Sequence, residues 1–442
     1  MNQSIDPWAP PGGQRAASRP SDAPPRPPTV IILSVLLAVA IIAVAAAAML
    51  PRNSSSGIDP TGAAGGAPII AAKSALGLTS SAAGSATTAP AGTPTSAAAD
   101  PNSVQAWLPK IEQFVAADRG LAFKAPVKLL ALSDAAFRAH LAAEPQTAKD
   151  QTDLNHAAEE LKALGLIPAS TDLSKAEQSL QGGTVVGLYD PTDKTLYVRG
   201  TSATPYVRQV MAHELTHALQ DQWFGLIRPA LDNATDESAL GFEGLVEGDA
   251  RRVEDDYLHS LSTTEQQEAQ TEADQIAGGG IDPSIPQVLV TLETFPYDIG
   301  EQFTKAVLQS GGQARLDEAF RNPPTTSRQL LDPSAFLAGQ GAIPVAPPTA
   351  DGPAFDHTVL GEIGLILLLN ETLPSADAGS VASLWGGDSM VAWQSGSRVC
   401  VRDRLTTWTD PTLLSGALLL WANAHPGASV TGSGPFVLTA CA

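Results

Sequence analysis

Residues 210–220, VMAHELTHALQ, set two histidines four positions apart around a glutamate: His213, Glu214 and His217. On a helix successive residues turn about 100°, so His213 and His217 lie about 40° apart on one face and both imidazoles can reach one ion. Neutral imidazoles leave zinc electrophilic, and a carboxylate at the border of the same face can take the proton of a water the ion has acidified. Glu214 stands at that border. Val207, Met211, Leu215, Ala218 and Leu219 gather on the opposite side and give the helix a core face. The chain has only seven histidines, which makes a chance match to this register improbable. The competing account is a pair of helix histidines satisfied by neighbouring groups.

A catalytic zinc of this kind takes three protein ligands and keeps one position open. Residues 236–260, DESALGFEGLVEGDARRVEDDYLHS, read as a second helix able to supply the third. Glu243 and Glu247 are four apart and share a face, with Phe242, Leu245 and Val246 around them. One could ligate the ion while the other orients a histidine through its second ring nitrogen. Spacing alone does not choose between them. Glu254, Asp255 and Asp256 read as solvated helix carboxylates.

The segments AHELTHALQDQWF and GLVEGDA resemble the two site helices of the gluzincin metallopeptidases, in particular those of a bacterial, membrane-anchored metallopeptidase family. The resemblance implies zinc, one per chain, held by His213, His217 and Glu247, because the ligand glutamate in that group precedes glycine in an EG-x-A context. Glu247-Gly248-Asp249-Ala250 fits that context and Glu243 does not. It further implies Glu214 as catalytic base, hydrolysis of peptide bonds in a peptide or protein substrate, and Glu243 and Asp249 as candidates for contacts behind the ligands. GLYDPTDKTLYVRG looks like the strand pair that lines the substrate groove in such folds, and PPTTSRQLLDPSAF resembles a segment that recurs downstream in related proteins.

The resemblance covers about Trp107 to Phe336, and it has departures. His217 and Glu247 are 30 positions apart, longer than in thermolysin-like enzymes, so an insertion must loop out between the helices. No transition-state tyrosine or histidine can be matched; Tyr206, Tyr297 and His357 are candidates, each with a structural role as the alternative.

The elements around the motif predict an α+β fold, helix-dominated, with a zincin-like core in which a small sheet or hairpin lies beside the histidine helix. Val104, Trp107, Leu108, Ile111 and Val115 recur at helical spacing, APVKLLAL reads as a strand, and Ser133 or Asp134 caps the next helix. GTVVGLYDPTDKTLYVRG reads as a hairpin about Asp190-Pro191-Thr192-Asp193, and the motif helix follows it with Thr204 as N-cap and Pro205 first. The expected organisation is a disordered cytoplasmic tail over 1–28, an anchor over 29–50, an Ala/Gly/Ser/Pro-rich linker over 51–100, the zincin-like core over 101–280 and a helical C-terminal subdomain over 281–442.

Val30 to Leu50 is a run of 21 residues with Ser34 its only polar member, which matches the length of one transmembrane helix. A cleaved signal is the alternative, with Ala46 and Ala48 as its small-residue site. Arg15, Arg19 and Arg26 precede the run and only Arg52 closely follows it, so the N-terminus is expected in the cytoplasm and the rest outside. Cys400 and Cys441 both fall in the exported part, where a disulfide persists. A net charge of −20 with no Lys/Arg cluster argues against a nucleic-acid partner. Two rival functions remain: a catalytically inactive envelope interaction protein on the same scaffold, and a binding domain that uses the tryptophans of SLWGGDSMVAWQSG, which otherwise read as core.

Overall fold

The computed structural model describes residues 100–142, 148–181, 185–232, 234–278 and 282–442. The tail, the apolar run and nearly all of the linker lie outside the described residues. No described helix is long and apolar enough to cross a membrane.

The chain opens with α1 (Val104–Arg119), capped by Ser103, whose side chain accepts from Ala106 N–H. Then come β1 (Lys128–Leu132), α2 (Asp134–Ala142), α3 (Ala148–Ala163) and α4 (Leu173–Gln181). Strands β2 (Gly187–Asp190) and β3 (Thr195–Arg199) form the expected hairpin, and β1 joins β3 in parallel to give a three-stranded sheet ordered β1-β3-β2. Next is the motif helix α5 (Pro205–Phe224), with Thr204 accepting from Val207 N–H and Pro205 in the first turn. The expected insertion is short: α6 (Pro229–Asp232) and its flanking loops lead into α7 (Asp236–Ser260), which starts on a reciprocal Thr235/Ser238 capping box.

Helix α8 (Thr263–Ala277) is followed by α9 (Gln287–Arg321), which is two helical stretches broken at Gly311 and Gly312. Helices α7 and α9 touch backbone to backbone. A Cβ added to Gly248 would lie 2.0 Å from the Gly300 carbonyl carbon, and one added to Gly300 would lie 2.0 Å from the Gly244 carbonyl oxygen. Only glycine permits that approach.

After α10 (Ser327–Leu331) and α11 (Pro333–Leu337) come β4 (Ala354–Thr358), α12 (Gly361–Asn370), α13 (Ser375–Ala382), β5 (Trp385–Ser395), β6 (Arg398–Thr407), α14 (Thr412–Ala424), β7 (Ser429–Thr431) and β8 (Phe436–Cys441). The expectation of a helical C-terminal subdomain is corrected here, because an antiparallel five-stranded sheet, β4-β5-β6-β8-β7, runs through it. Asp403 and Asp388 sit at buried positions of β6 and β5 and break the apolar alternation that marks a strand. Cys400 and Cys441 are cross-strand partners joined by the expected disulfide. Trp385 and Trp393 are buried, as core residues.

Two apolar cores meet along α7. Val253 and Tyr257 at its C-terminal end pack with α1, the small sheet and α5, whereas Leu240, Phe242 and Leu245 at its start pack with α9 and the C-terminal part. The second core is laced with buried carboxyls. Asp388 receives N–H bonds from Leu360, Gly361 and the Trp385 indole at 2.7, 3.0 and 2.7 Å, and also bonds to Asp403. A carboxyl–carboxyl bond needs one proton, and the three donors on Asp388 assign it to Asp403, whose titration burial and then the Asp388 charge push far upward. Glu160 and Asp356 make a second such pair. Burial also raises Asp236 to about 7, Glu237 to about 8 and Glu362 to about 7.

These carboxyls keep protons in the folded chain that the unfolded chain loses above about pH 4, so stability is expected to fall as pH rises from about 4 through about 8. Thermal unfolding should give a higher Tm at pH 5.5 than at pH 8, with a shallower slope in Asp403→Asn, which mimics the protonated acid; a Tm that rises over this interval would contradict the assignment. Replacing both cysteines by serine is expected to cost about 2–5 kcal/mol in urea unfolding.

Candidate metal centre

Helix α5 is buried along most of its length, so its two histidines face protein on every side. His213, Glu214 and His217 are 0% exposed and Glu247 is 2% exposed. One ligand atom from each of His213, His217 and Glu247 lies within 4.8 Å of the others, the only such group of three among the described residues. The cluster could hold a metal ion. Glu247 Oε2 is 3.2 Å from His213 Nε2 and 3.4 Å from His217 Nε2. The second contact does not meet hydrogen-bond geometry, and His217 Nε2 is left without a hydrogen-bond partner among the described residues.

Both opposite ring nitrogens are held. His213 Nδ1 is 3.1 Å from Glu254 Oε2, and His217 Nδ1 is 3.0 Å from Gln220 Oε1. Both partners are acceptors, so each imidazole carries a proton on Nδ1, and the two Nε2 atoms turn toward each other and toward Glu247, with His213 Nε2 donating to Glu247 when the ring is doubly protonated. Two ring nitrogens and one carboxylate thus converge in a buried place, with an orphaned ring nitrogen among them, a donor set that fits a metal ion once His213 gives up its extra proton.

The partners are themselves fixed. Glu254 accepts from Gln209 Nε2 at 2.8 Å and pairs with Arg251 at 3.1 Å. Gln220 Nε2 donates to Asp249 Oδ2 at 3.0 Å and to the Val246 carbonyl at 3.0 Å. Asp249 pairs with Arg119 at 2.7 Å, which ties α1 to the centre. Glu254 was expected to be a solvated carboxylate. The structure corrects this: it is 0% exposed and orients His213, while Asp256 is exposed. Of Glu243 and Glu247, the structure brings Glu247 to the two histidines; Glu243 is half-buried and outside the cluster. Asp249 stands behind His217, through Gln220.

Glu214 lies beside the cluster. The main chain of β2 passes directly over it, because a Cβ on Gly187 would fall 2.6 Å from Val210 and 3.2 Å from Glu214. Arg199 N–H donates to the Val186 carbonyl, so alternation turns the Gly187 and Tyr189 main-chain groups to the outer edge of β2. There Tyr189 N–H donates to Glu214 Oε2 at 2.6 Å, while Glu214 Oε1 has no hydrogen-bond partner. The hairpin is pinned at the far end of α5 by Asp221, which accepts from the Tyr189 hydroxyl at 2.8 Å and from Lys194 at 2.6 Å.

Burial pushes the Glu214 carboxyl up to about 8, against the opposing His213 charge and the Tyr189 bond. Burial lowers His213, but the bonds and charges of Glu247 and Glu254 outweigh it and raise the ring to about 10. Burial likewise works to raise Glu247 and Glu254, yet His217 and His213 bring the first below the usual range, and Arg251 and His213 bring down the second. A cation bound between the rings would displace the extra His213 proton.

Of the three candidates for a transition-state group, the structure brings only Tyr297 near. Its ring stacks on His213 with centroids 6.4 Å apart. Tyr206 is packed in the first core and His357 is exposed on β4. Gln220 and Gln209 went unmarked in the sequence; lying three after His217 and four before His213, they share the histidine face, and that spacing was the available signal.

No protein-family model matches the chain, and no curated protein or solved structure shows significant similarity to it.

Glu254→Gln, which removes the charge, and Gln220→Met, which removes the acceptor, are each expected to weaken zinc binding roughly 10- to 100-fold. Competition against a chromophoric chelator checks this, and unchanged affinity in both would detach these residues from the centre.

Proposed function

We propose that the chain is a zinc metallopeptidase of gluzincin type, with a zincin-like core, anchored by Val30–Leu50 and facing the extracytoplasmic side. The observation that carries this reading is the convergence of His213, His217 and Glu247 with an additional carboxylate, Glu214, beside them. His213, His217 and Glu247 would hold the zinc. When bound, zinc supplies a Lewis acid that polarises a peptide carbonyl and acidifies water.

Glu214 is held through Oε2 by Tyr189 N–H, and in its ionised form, which a cation bound beside it would favour against the burial that raises it, its free Oε1 takes a proton from water and returns it to the leaving amine. Glu254 and Gln220 keep both imidazoles in one tautomer. The outer edge of β2, turned toward Glu214, offers main-chain groups for pairing with an extended peptide, a mode with little sequence preference.

The near-complete burial of all four side chains favours a second reading, in which a metal braces the fold of an envelope interaction protein without turnover. A bracing site needs three ligands but has no use for Glu214, a buried carboxylate with one unpartnered oxygen, which a stability-only role would be expected to replace with an apolar residue. The peptidase reading requires that the protein opens beside Glu214 to admit substrate.

In full-length, zinc-loaded protein, Glu214→Gln is expected to retain its zinc and lose at least about 100-fold in peptide hydrolysis, read with a quenched fluorescent peptide library. Retained zinc with no hydrolysis by the parent protein either would favour the bracing role.

A further inference from the structure

Among the described residues, three of the most exposed large apolar side chains lie on α14, and Trp408 just precedes it. Seven large hydrophobic side chains are left exposed, and four of them are Trp408, Leu413, Leu419 and Leu420, at 39, 69, 47 and 53%. Leu413 and Leu420 are seven apart, hence about 20° apart around α14, and Leu419 lies about 100° further round from Leu420 at the other border of the exposed side. The other side of the helix, Leu414, Ala417, Leu418 and Trp421, is buried in the second core. The helix sequence, TLLSGALLLWANA, contains no charged residue. Its exposed side carries Leu413, Leu419 and Leu420 beside the uncharged Thr412 and Asn423.

The sequence indicates what covers it. A 21-residue apolar run ends at Leu50, and 49 residues of mainly Ala, Gly, Ser, Thr and Pro separate it from Asp100. Forty-nine residues can span at most about 160–175 Å, so their length does not hold any face of the domain away from the bilayer. The bare face also lacks the Lys and Arg that pair with anionic headgroups, and a chain of charge −20 is repelled by them. Exposed leucines on a helix without charge suit the apolar boundary of a neutral bilayer.

We propose that the Leu413–Leu420 face of α14, together with Trp408, docks on the zwitterionic lipid surface beside the chain's own anchor. The inference rests on the anchor reading and is independent of the metal centre. Docking there fixes how the folded part is presented to the membrane, which a linker alone does not do.

The test uses full-length protein in phosphatidylcholine vesicles carrying doxyl-labelled lipid, with an environment-sensitive fluorophore on Leu420→Cys and, as control, on Gln275→Cys at an exposed position of α8. Lipid should quench the Leu420 probe several-fold more than the Gln275 probe, and adding Leu413→Ser and Leu419→Ser should abolish the difference while the protein still floats with the vesicles. Equal quenching in floating protein would overturn the docking and leave the anchor standing. Emission at Leu420 that follows protein density rather than lipid label would assign the face to a second copy and overturn it as well. Protein that does not float at all would overturn both the docking and the anchor.

Discussion

Five ionisable side chains, His213, Glu214, His217, Glu247 and Glu254, are packed together with at most 2% exposure. Burying that much charge is tolerable only when every group is paired or hydrogen-bonded, and the surrounding structure is arranged to do this. Glu254 takes one side of His213 and Gln220 one side of His217, each secured in turn by Gln209, Arg251 and Asp249. Arg119 reaches in from α1 to balance Asp249. What remains unbalanced points inward: one oxygen of Glu214 and one nitrogen of His217. A cation would complete this set.

The frame follows from the same need. Glu247 must reach both imidazoles from a separate helix, so α7 has to be fixed closely against α5 and α9. The contact between Gly248 and Gly300 sets the second of these distances. At its start α7 is held by Asp236 on Thr358 and by Glu237 on Ser327, whose hydroxyl also accepts from Ile363 N–H. The segment around Ser327 and Arg328, conspicuous in the sequence without a role, is thus a clamp: Arg328 pairs with Glu362 on α12 at 3.3 Å. The C-terminal part is therefore joined to the helix that bears Glu247 by buried polar groups rather than by apolar contact alone.

Much of the centre was legible because it is local. His213, Glu214 and His217 are read from helical spacing, and Thr204 with Pro205 marks where their helix begins. The EG-x-A context of Glu247 set it apart from Glu243, whose glycine is followed by Leu245 and Val246; in the structure both glycines, Gly244 and Gly248, lie where α9 touches. Glu254 was misread because a run of acids on a helix ordinarily faces water; only the return of α7 past His213 puts one of them in the interior. The C-terminal sheet was missed for a related reason: Asp388 and Asp403 occupy interior strand positions made tolerable by a shared proton, a long-range arrangement that no local pattern announces. The parallel pairing of β1 with β3 is likewise a long-range fact, set by how the intervening helices return the chain.

The central claim is that the buried trio binds a metal, and elemental mass spectrometry of purified full-length protein after zinc is offered and excess removed tests it most directly, with His217→Ala alongside. The account predicts close to one zinc per chain in the parent and almost none in the variant. Well-folded parent protein that holds no metal, or a variant that holds as much as the parent, would contradict it.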